Sequence, residues 1–474
     1  MVHFRIHLEG KPVSCWISIE DSSGAPVIPM GWDPHPKLGG KAPSQWIRNG
    51  RIFCACNGGF EAHIDPGIHS VEVLGGAGTL PWTGNIEIIP GQLAVRIPLA
   101  QAPFDPNGWH ACDLRTHGLS PKAALIEAEA SGMALTQVLA SSHWPKLDCL
   151  GQPDYGQLVE FSGSKPAAET TRTVIAVNTL NRHPYLGTVC LLHSHRPVYP
   201  WHSGWHNDEK SWSVHDWARQ CHRIKGVVIW PELDPQLPEY ESIAALIHGD
   251  IDCVELCESL GTHPNTPESR IGLVYNLWSL GIPCGLVGSS GKSCNRTRVG
   301  ERFTWAPQKS PVTGANQYSF PFDEVMSSIR SGAASASNGP FLTLLEGPEL
   351  VNATINLFQA EANLEWVTEN GVIEKQRLET GFAGSISLPS HRLRNWVSCR
   401  LIGMHGELLA HSPLIKGPDF GKTPSIWDKK FLTDRVGEGL SWVESFMSKP
   451  GETLKDQLKD YFQSALDLVR SRSA

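Results

Sequence analysis

Four polar residues that could bind a ligand lie within or just after one stretch of the chain, residues 108–140. Asp113 and His117 lie at the end of its first apolar segment, and Ser142 and His143 directly follow its second. In α/β folds, ligands bind at the carboxyl ends of the strands. We therefore predict a ligand site where these four residues meet.

The stretch itself is predicted to be a strand, a helix and a second strand. Residues 112–114 (Cys-Asp-Leu) are the predicted end of the first strand. Ser120 and Pro121 predict the start of the helix, because serine accepts from exposed amides and proline loses no hydrogen bond in the first turn. Gly132 predicts the end of the helix. The apolar run over residues 133–140 predicts a strand buried on both faces.

Composition limits the class of protein. The chain has 474 residues, an apolar content of 41% and a formal net charge of −8. The length predicts several domains, and the negative charge argues against nucleic acid or an anionic membrane as the main partner. The twelve cysteines form no repeated C-x-x-C pair, which argues against a disulfide framework and a zinc ribbon. Without a signal-peptide pattern or an apolar run of roughly 20 residues, we expect a cytoplasmic protein with no membrane span.

Hydrophobic patterning predicts a multidomain α+β fold in four parts. Residues 1–107 contain short alternating runs between Gly, Pro and Asp turns, which is typical of a β-sandwich. Residues 108–332 alternate strand and helix, which predicts a largely parallel sheet or barrel with helices outside. Residues 333–420 predict a second β-sandwich. Residues 421–474 predict a helical extension.

Apolar spacing predicts which helix faces are buried. In the middle of the chain, Val214, Trp217 and Cys221 share one helical face. The tail carries two stripes: Val436, Leu440, Val443 and Met447, then Leu454, Leu458, Tyr461, Ala465 and Leu468. Exposed stripes would create an apolar patch, so we expect them to dock on the protein or on a second copy of it.

Seven motifs follow one another along the chain. They are GWHACDLRTHG, a buried strand ending in Ser-His, a Val-His-Asp-Trp-Ala-Arg-Gln-Cys-His helix, GVVIWPE, Asp-Cys-Val-Glu-Leu, GIPCGLVGSS and SNGP. Their order resembles the CehA/McbA-type metallohydrolases of the PHP (polymerase and histidinol phosphatase) superfamily. The amino-terminal part resembles the carboxypeptidase-regulatory-like domain that precedes the hydrolase domain in relatives. The resemblance covers about residues 10–345.

The resemblance implies a distorted α/β barrel with a metal centre at the strand carboxyl ends. In such centres divalent metals activate water to hydrolyse esters, amides or phosphoesters. This sequence keeps His117 and His143, and Glu232 stands where relatives have the histidine of a Pro-His pair; the three would make one three-ligand site for zinc or manganese. Further ligands of relatives lie near His193, His195 and Glu255.

At other positions the chain departs from the family pattern. Arg115 replaces the first histidine of Asp-Leu-His-x-His, and Ser142 replaces the aspartate of Thr-Asp-His. Ser290 and Lys292 stand at the two ligand positions of Gly-Ser-Asp-x-His. Arginine and protonated lysine have no lone pair for a metal, and serine is a poor ligand.

Three functional interpretations follow. The first is a hydrolase with a reduced, single-metal site. The second, which we favour, is a pseudoenzyme that binds a small anionic ligand or a partner in the old pocket. Its contacts would be Asp113, Arg115, Ser142, His193, His195, Ser290 and Lys292. In the third, the two flanking β-sandwiches carry the functional surfaces and the middle domain is a spacer between them.

The anion interpretation depends on the two cations, Arg115 and Lys292, that stand where relatives have metal ligands. Arginine offers a planar donor fork for carboxylate or phosphate, and lysine offers a point charge. Arg115 and Lys292 would therefore receive the anion, with His117 and His143 as further donors when protonated. The competing interpretation is that both cations pair with nearby acids such as Asp113 and fill space.

Overall fold

In the computed structural model the chain is a mixed α+β protein, with seven α-helices and several β-sheets among the described residues. The described residues are 1–41, 43–102, 106–141, 159–203, 212–233, 238–262, 269–310, 320–358, 360–422, 429–446 and 452–472. Two predicted site residues, Ser142 and His143, lie outside these ranges. No helix within them is long and apolar enough to cross a membrane.

The chain divides into two compact units. Unit 1 comprises the described residues within Met1–Val177, Ser289–Phe303 and Pro311–Pro321. Unit 2 comprises those within Asn178–Gly288, Thr304–Ser310 and Phe322–Ala474. The predicted segment 108–332 therefore contributes residues to both units. Unit 1 holds Asp113, Arg115, His117, Ser290 and Lys292, whereas unit 2 holds His193, His195, Glu232 and Glu255.

Two sheets form the first part of unit 1. Their strands are β1 Val2–Leu8, β2 Lys11–Pro12, β3 Cys15–Glu20, β4 Gln45–Arg48, β5 Arg51–Cys56, β6 Gly59–Ala62, β7 Gly67–Gly75, β8 Trp82–Ile88 and β9 Ala94–Leu99. In the four-stranded sheet, β1 pairs with β2, β6 and β9, and the five-stranded sheet has the order β4-β5-β3-β7-β8. Phe4 and Ile6 of the first sheet share one core with Ile17 and Val73 of the second.

Alternation along β1 explains how its sheet has one buried and one outer face. Val2, Phe4 and Ile6 are buried, whereas Arg5 is exposed and His3 is partly exposed. Successive strand residues point to opposite faces, so a period of two separates apolar from charged side chains. The same alternation recurs in β9, where Val95, Ile97 and Leu99 are buried.

The predicted strand–helix–strand unit is present in unit 1. It consists of β10 Trp109–Thr116, α1 Pro121–Ser131 and β11 Leu135–Ser141, with β10 and β11 parallel. The Ser120 hydroxyl accepts from the backbone N–H of Ala123, and Gly132 ends the helix at φ 69°. A side chain at Gly132 would also place its Cβ 2.5 Å from the backbone nitrogen of Ala77. Both predicted helix ends are confirmed.

One boundary prediction was wrong. The first strand does not end within residues 112–114, because β10 continues to Thr116 with a register shift between Asp113 and Thr116. The backbone N–H of Gly291 donates to the carbonyl of Arg115, and Thr116 forms a parallel bridge with Lys292. Segment 289–303 therefore supplies the pairing that extends the strand, and local sequence carries no signal of a partner so far along the chain.

Strands and helices alternate in the first part of unit 2. The elements are β13 Val174–His183, whose first residues belong to unit 1, β14 Gly187–Leu192, α2 Val214–Arg223, β15 Val227–Trp230, α3 Ser242–His248, β16 Cys253–Leu256, α4 Arg270–Ser279, β17 Gly285–Gly288, β18 Phe303–Pro307 and α5 Phe322–Arg330. Strand β12, Ala168–Glu169 in unit 1, pairs with the start of β13. On α2, Val214, Trp217 and Cys221 are all buried, as their spacing predicts.

Only some of the strands in this part of unit 2 pair in parallel. Strands β15, β16 and β17 pair in parallel, whereas β14 pairs antiparallel with both β13 and β15. The connection from His183 to Gly187 is far too short for a crossover, which needs a dozen or more residues, so β13 and β14 form a hairpin. The expectation of a largely parallel sheet therefore describes β15–β17 but not this hairpin.

The later residues of unit 2 are mainly strands. They are β19 Ser335–Ser337, β20 Phe341–Glu346, β21 Leu350–Asn356, β22 Ala362–Thr368, β23 Gly371–Leu378, β24 Ala383–Pro389, β25 Trp396–Gly403, β26 Leu408–His411 and β27 Ile415–Lys416, with a 3-10 turn at Ser390–Arg392. Leu342 and Ile355 of one sheet share a core with Leu364, Trp366 and Leu401 of another.

The tail forms two helices, α6 Lys429–Phe446 and α7 Glu452–Ser471. Val436, Val443, Leu458 and Ala465 are buried in the core cluster that also contains residues of α2, α3 and α4. The two predicted stripes therefore dock within unit 2, which removes their apolar side chains from water. Met447, assigned to the first stripe, lies outside the described residues.

Removing a large side chain from this docking surface should destabilise unit 2. Phe462 is 0% exposed, so Phe462→Ala should lower the free energy of unfolding by about 3–5 kcal/mol through lost burial and a cavity. Chemical denaturation followed by circular dichroism measures the loss. The exposed neighbour provides the control: Gln463→Ala should stay within about 0.5 kcal/mol of wild type. A loss below about 1 kcal/mol for Phe462→Ala would mean that the tail does not dock tightly.

Candidate functional site

Five of the predicted site residues come together in unit 1. Residues 113–117 of β10 and the following turn run beside residues 290–292. The carbonyl of Lys292 accepts from the backbone N–H of His117 at 2.7 Å. Two segments separated by more than 170 residues thus place Asp113, Arg115, His117, Ser290 and Lys292 in one neighbourhood.

Asp113 holds segment 289–303 near both of its ends. Its side chain is 0% exposed. Oδ1 accepts from the backbone N–H of Ser290 at 3.1 Å, and Oδ2 accepts from the backbone N–H of Gly300 at 2.8 Å. Burial raises the pKa of the Asp113 carboxyl to about 6, although these hydrogen bonds favour its ionised form.

Lys292 forms a buried ion pair with Glu127 of α1. The Nζ atom lies 3.2 Å from Glu127 Oε2, and the two side chains are 3% and 0% exposed. The same ammonium donates to the carbonyls of Cys294 and Thr297 at 3.3 and 2.9 Å. The ammonium thus makes two hydrogen bonds and one ion pair within unit 1. This geometry supports the interpretation in which Lys292 pairs with an acid, and that acid is Glu127 rather than Asp113.

Glu127 also ties α1 to the amino-terminal strands. Its Oε1 accepts from the backbone N–H of Ser44 at 2.9 Å. Burial raises the pKa of the Glu127 carboxyl, and Lys292 opposes that rise. Sequence reasoning missed Glu127, although a signal was present: it lies three residues after Ala124 and beside Ala128 on the inward face of the helix.

Segment 289–303 is held in place at several further points. The Asn295 side chain donates to the carbonyl of Lys37 and accepts from the backbone N–H of Gly39, both at 2.8 Å. The guanidinium of Arg298 lies 5.1 Å from the centre of the Trp46 ring. Burial lowers the pKa of Arg298 to about 10. Lys292 is therefore fixed on a segment that is bound along its length.

His117 has a defined tautomer when neutral. Its side chain is buried, and Nδ1 donates to the carbonyl of Leu139 at 3.1 Å. A neutral ring that donates from Nδ1 carries its lone pair on Nε2, which is the form that binds a metal.

Glu232 of unit 2 stabilises a loop. Its Oε2 accepts from the backbone N–H groups of Cys257, Glu258 and Ser259 at 2.7, 2.7 and 2.9 Å, and Oε1 accepts from the Ser259 hydroxyl. Its own backbone N–H donates to Glu255 Oε2 at 2.7 Å. Most of the acceptor positions of a carboxylate are therefore already in use.

The two histidines predicted after β14 differ in environment. His193 has a positive φ of 55°, and its Nε2 lies 3.0 Å from Asp323 Oδ1. Its ring packs edge-on against Phe322 at 4.6 Å between centroids. Burial lowers the pKa of His193, and Asp323 opposes this effect. His195 is exposed, whereas Ser142 and His143 lie outside the described residues.

The unit 1 residues do not fit the metal centre that the resemblance implies. Arg115 and Lys292 are cations without lone pairs, and both oxygens of Asp113 accept backbone N–H groups. Within the described ranges, no group of three or more His, Cys, Asp or Glu side chains is placed to hold a metal ion. The three-ligand site at His117, His143 and Glu232 stays a prediction, because it includes a residue outside those ranges.

Comparison with known proteins adds no relative. No model of a known protein family matches the sequence. No curated protein matches it significantly either. The resemblance to the CehA/McbA-type hydrolases therefore rests on the motifs quoted above.

The raised pKa of Asp113 predicts a pH dependence of stability. The carboxyl is protonated in both states below about pH 3, and as pH rises towards 6 the unfolded chain ionises first, which favours unfolding. A shift from 3.8 to about 6 corresponds to about 3 kcal/mol. Relative to Asp113→Asn, the free energy of unfolding of wild type should therefore fall by about this amount between pH 3 and 7, as urea titrations would measure. The exposed Asp65→Asn serves as control and should follow wild type. A constant difference between wild type and Asp113→Asn would contradict the assignment.

A double-mutant cycle tests the buried ion pair. Lys292→Met and Glu127→Gln each leave one buried charge without its partner, which typically costs about 3–5 kcal/mol. The double variant removes both charges and should lose less than the sum, by about 1–3 kcal/mol. Urea unfolding of the four proteins gives this coupling. The exposed pair Arg435–Glu438, with variants Arg435→Met and Glu438→Gln, should couple by less than about 1 kcal/mol. Additive losses at Lys292 and Glu127 would show that the two charges do not interact.

Proposed function

We propose that the chain is a pseudoenzyme: a CehA/McbA-like protein of the PHP hydrolase type whose metal centre is largely lost, and which binds a small anionic ligand or partner. The observation that carries this proposal is the Lys292–Glu127 ion pair. Lys292 stands where the resemblance expects a metal ligand, and its ammonium has no lone pair to offer. A structural ion pair at this position supports the loss of metal chemistry.

Local charge supports the same conclusion. Arg115 and Lys292 are 5% and 2% exposed, so water screens their charges poorly. Glu127 balances the charge of Lys292, so Arg115 is the cation that would disfavour a divalent metal and attract an anion. Arg115 is the proposed main contact, because its planar fork suits carboxylate and phosphate. His117 follows it by two residues and would add a donor when protonated.

The proposed fold has four parts. They are an amino-terminal β-sandwich over residues 1–107, a PHP-like distorted α/β barrel over 108–332, a second β-sandwich over 333–420 and a helical extension over 421–474. The shared core of the two amino-terminal sheets and the core between the sheets of β20–β25 support the two sandwiches. The parallel strands β15–β17, with helices α3 and α4 between them, support an α/β centre.

The alternative is a working hydrolase of ester, amide or phosphoester bonds with one zinc or manganese ion at His117, His143 and Glu232. One observation favours it: Nδ1 of His117 donates to the Leu139 carbonyl, and metal-binding histidines commonly donate their other ring N–H in this way. The hydrogen bonds that the Glu232 carboxylate accepts from residues 257–259 weigh against it.

Metal analysis separates the two functions. Protein expressed with added zinc and manganese should carry far less than one ion per chain by mass spectrometry, and chelator should leave its melting temperature unchanged, because no metal-binding energy contributes to folding. His117→Ala should have the same metal content as wild type. About one ion per chain, lost in both His117→Ala and Glu232→Ala, would overturn the pseudoenzyme proposal and support the hydrolase. The exposed His195→Ala is the matched control for non-specific loss.

A further inference from the structure

A basic cleft lies on the outer face of the four-stranded sheet in unit 1. Its volume is about 520 Å³. Its lining residues are His3, Arg5, Ile6, His7, Gly10, Pro12, Asn57, Gly58, Gly59 and Arg96. We call it the β1 cleft, because His3, Arg5 and His7 alternate along that strand. No residue of this lining is acidic, although the chain as a whole has a net charge of −8.

Strand register places the two arginines side by side. Arg5 of β1 is the direct partner of Arg96 on the parallel strand β9, so both side chains point to the same face. Both residues are exposed. Like charges directly opposite on neighbouring strands destabilise a sheet. The pairing of Arg5 with Arg96 therefore does not stabilise the fold, whereas binding of an anion between the two side chains would explain it.

The charges of the cleft are not neutralised within the described chain. Among the residues that the structure describes, the side chains of Arg5, Arg96, His3 and His7 have no hydrogen-bond or ion-pair partner. Glu61 is the direct partner of His3 on β6 and lies on the same face, but it does not line the cleft. This state contrasts with Lys292, whose charge is fully paired inside unit 1.

The other side of the cleft offers space and a polar group. Gly59 lies opposite Arg5 on β6, and a Cβ there would meet no atom closer than 3.8 Å, so the absent side chain leaves room beside the guanidinium. Gly58 has a φ of +92°, and a Cβ there would lie 2.7 Å from the backbone nitrogen of Val13. Glycine is therefore needed for the tight turn that bounds the cleft, and Asn57 of the same turn adds an amide.

We propose that the β1 cleft binds a phosphate-type oxyanion, either free phosphate or the phosphate group of a small phosphorylated molecule. Two adjacent guanidinium groups present planar donor forks to such a group, and arginine binds phosphate through paired N–H···O bonds. The two histidines add ring N–H donors on either side of Arg5. This site is separate from the one proposed at Arg115 and does not depend on it.

Isothermal titration calorimetry on the full chain tests the proposal. The probes are inorganic phosphate, pyrophosphate and glycerol 3-phosphate, in a phosphate-free buffer with chloride adjusted to constant ionic strength. Wild type should bind at least one probe, and Arg5→Gln and Arg96→Gln should each weaken binding about tenfold or more, as expected when a charged hydrogen bond is lost. Tighter binding of glycerol 3-phosphate than of phosphate would identify the phosphorylated molecule, and the reverse would identify the free ion.

Two controls distinguish the cleft from other sites. Arg219→Gln removes an exposed arginine of α2 and should leave binding unchanged. Arg115→Gln reports on the proposed pseudoenzyme pocket: binding that it weakens, while Arg5→Gln and Arg96→Gln leave it intact, belongs to that pocket and would overturn the β1 cleft as the site. The proposal is overturned if no probe binds wild type, if Arg5→Gln and Arg96→Gln bind as wild type does, or if Arg219→Gln weakens binding equally. Circular dichroism of each variant confirms that the exposed substitutions preserve the fold.

Discussion

The buried ion pair between Lys292 and Glu127 is the interaction on which the candidate site depends. Neither charge would be stable alone in this environment, because desolvation of a single ion costs several kcal/mol. Their pairing holds segment 289–303 against α1, and Asp113 holds the same segment through Ser290 and Gly300. Asp113 and Lys292, which the resemblance places in metal-ligand motifs, therefore stabilise the packing of unit 1.

Unit 1 uses positive charge in two different ways. At Lys292 the charge is desolvated and matched by an acid and two carbonyls, so it contributes to structure. At Arg5 and Arg96 the charges are exposed to water and adjacent, without a matching acid among the described residues. A surface charge that does not stabilise the fold can still attract a ligand of opposite charge, because the electrostatic attraction then contributes to binding.

Unit 2 depends mainly on apolar burial. Its largest core combines helices α2, α3 and α4 with the two tail helices, so the tail is part of the folded unit rather than an appendage. The Trp442 ring stacks on both Tyr185 and Tyr240, which ties α6 to the region around α3. Glu232 and His193 sit within this framework and form local contacts with residues 257–259 and with Asp323.

The sequence by itself determined the elements whose signals are local. Ser120 and Gly132 mark the ends of α1, and the alternation of β1 separates its buried from its outer face, because capping and side-chain direction depend only on neighbouring residues. Tertiary structure decided which distant residues meet: Lys292 with Glu127, and Arg5 with Arg96. Such pairings depend on strand register and packing between segments far apart in the chain, and no local periodicity encodes them.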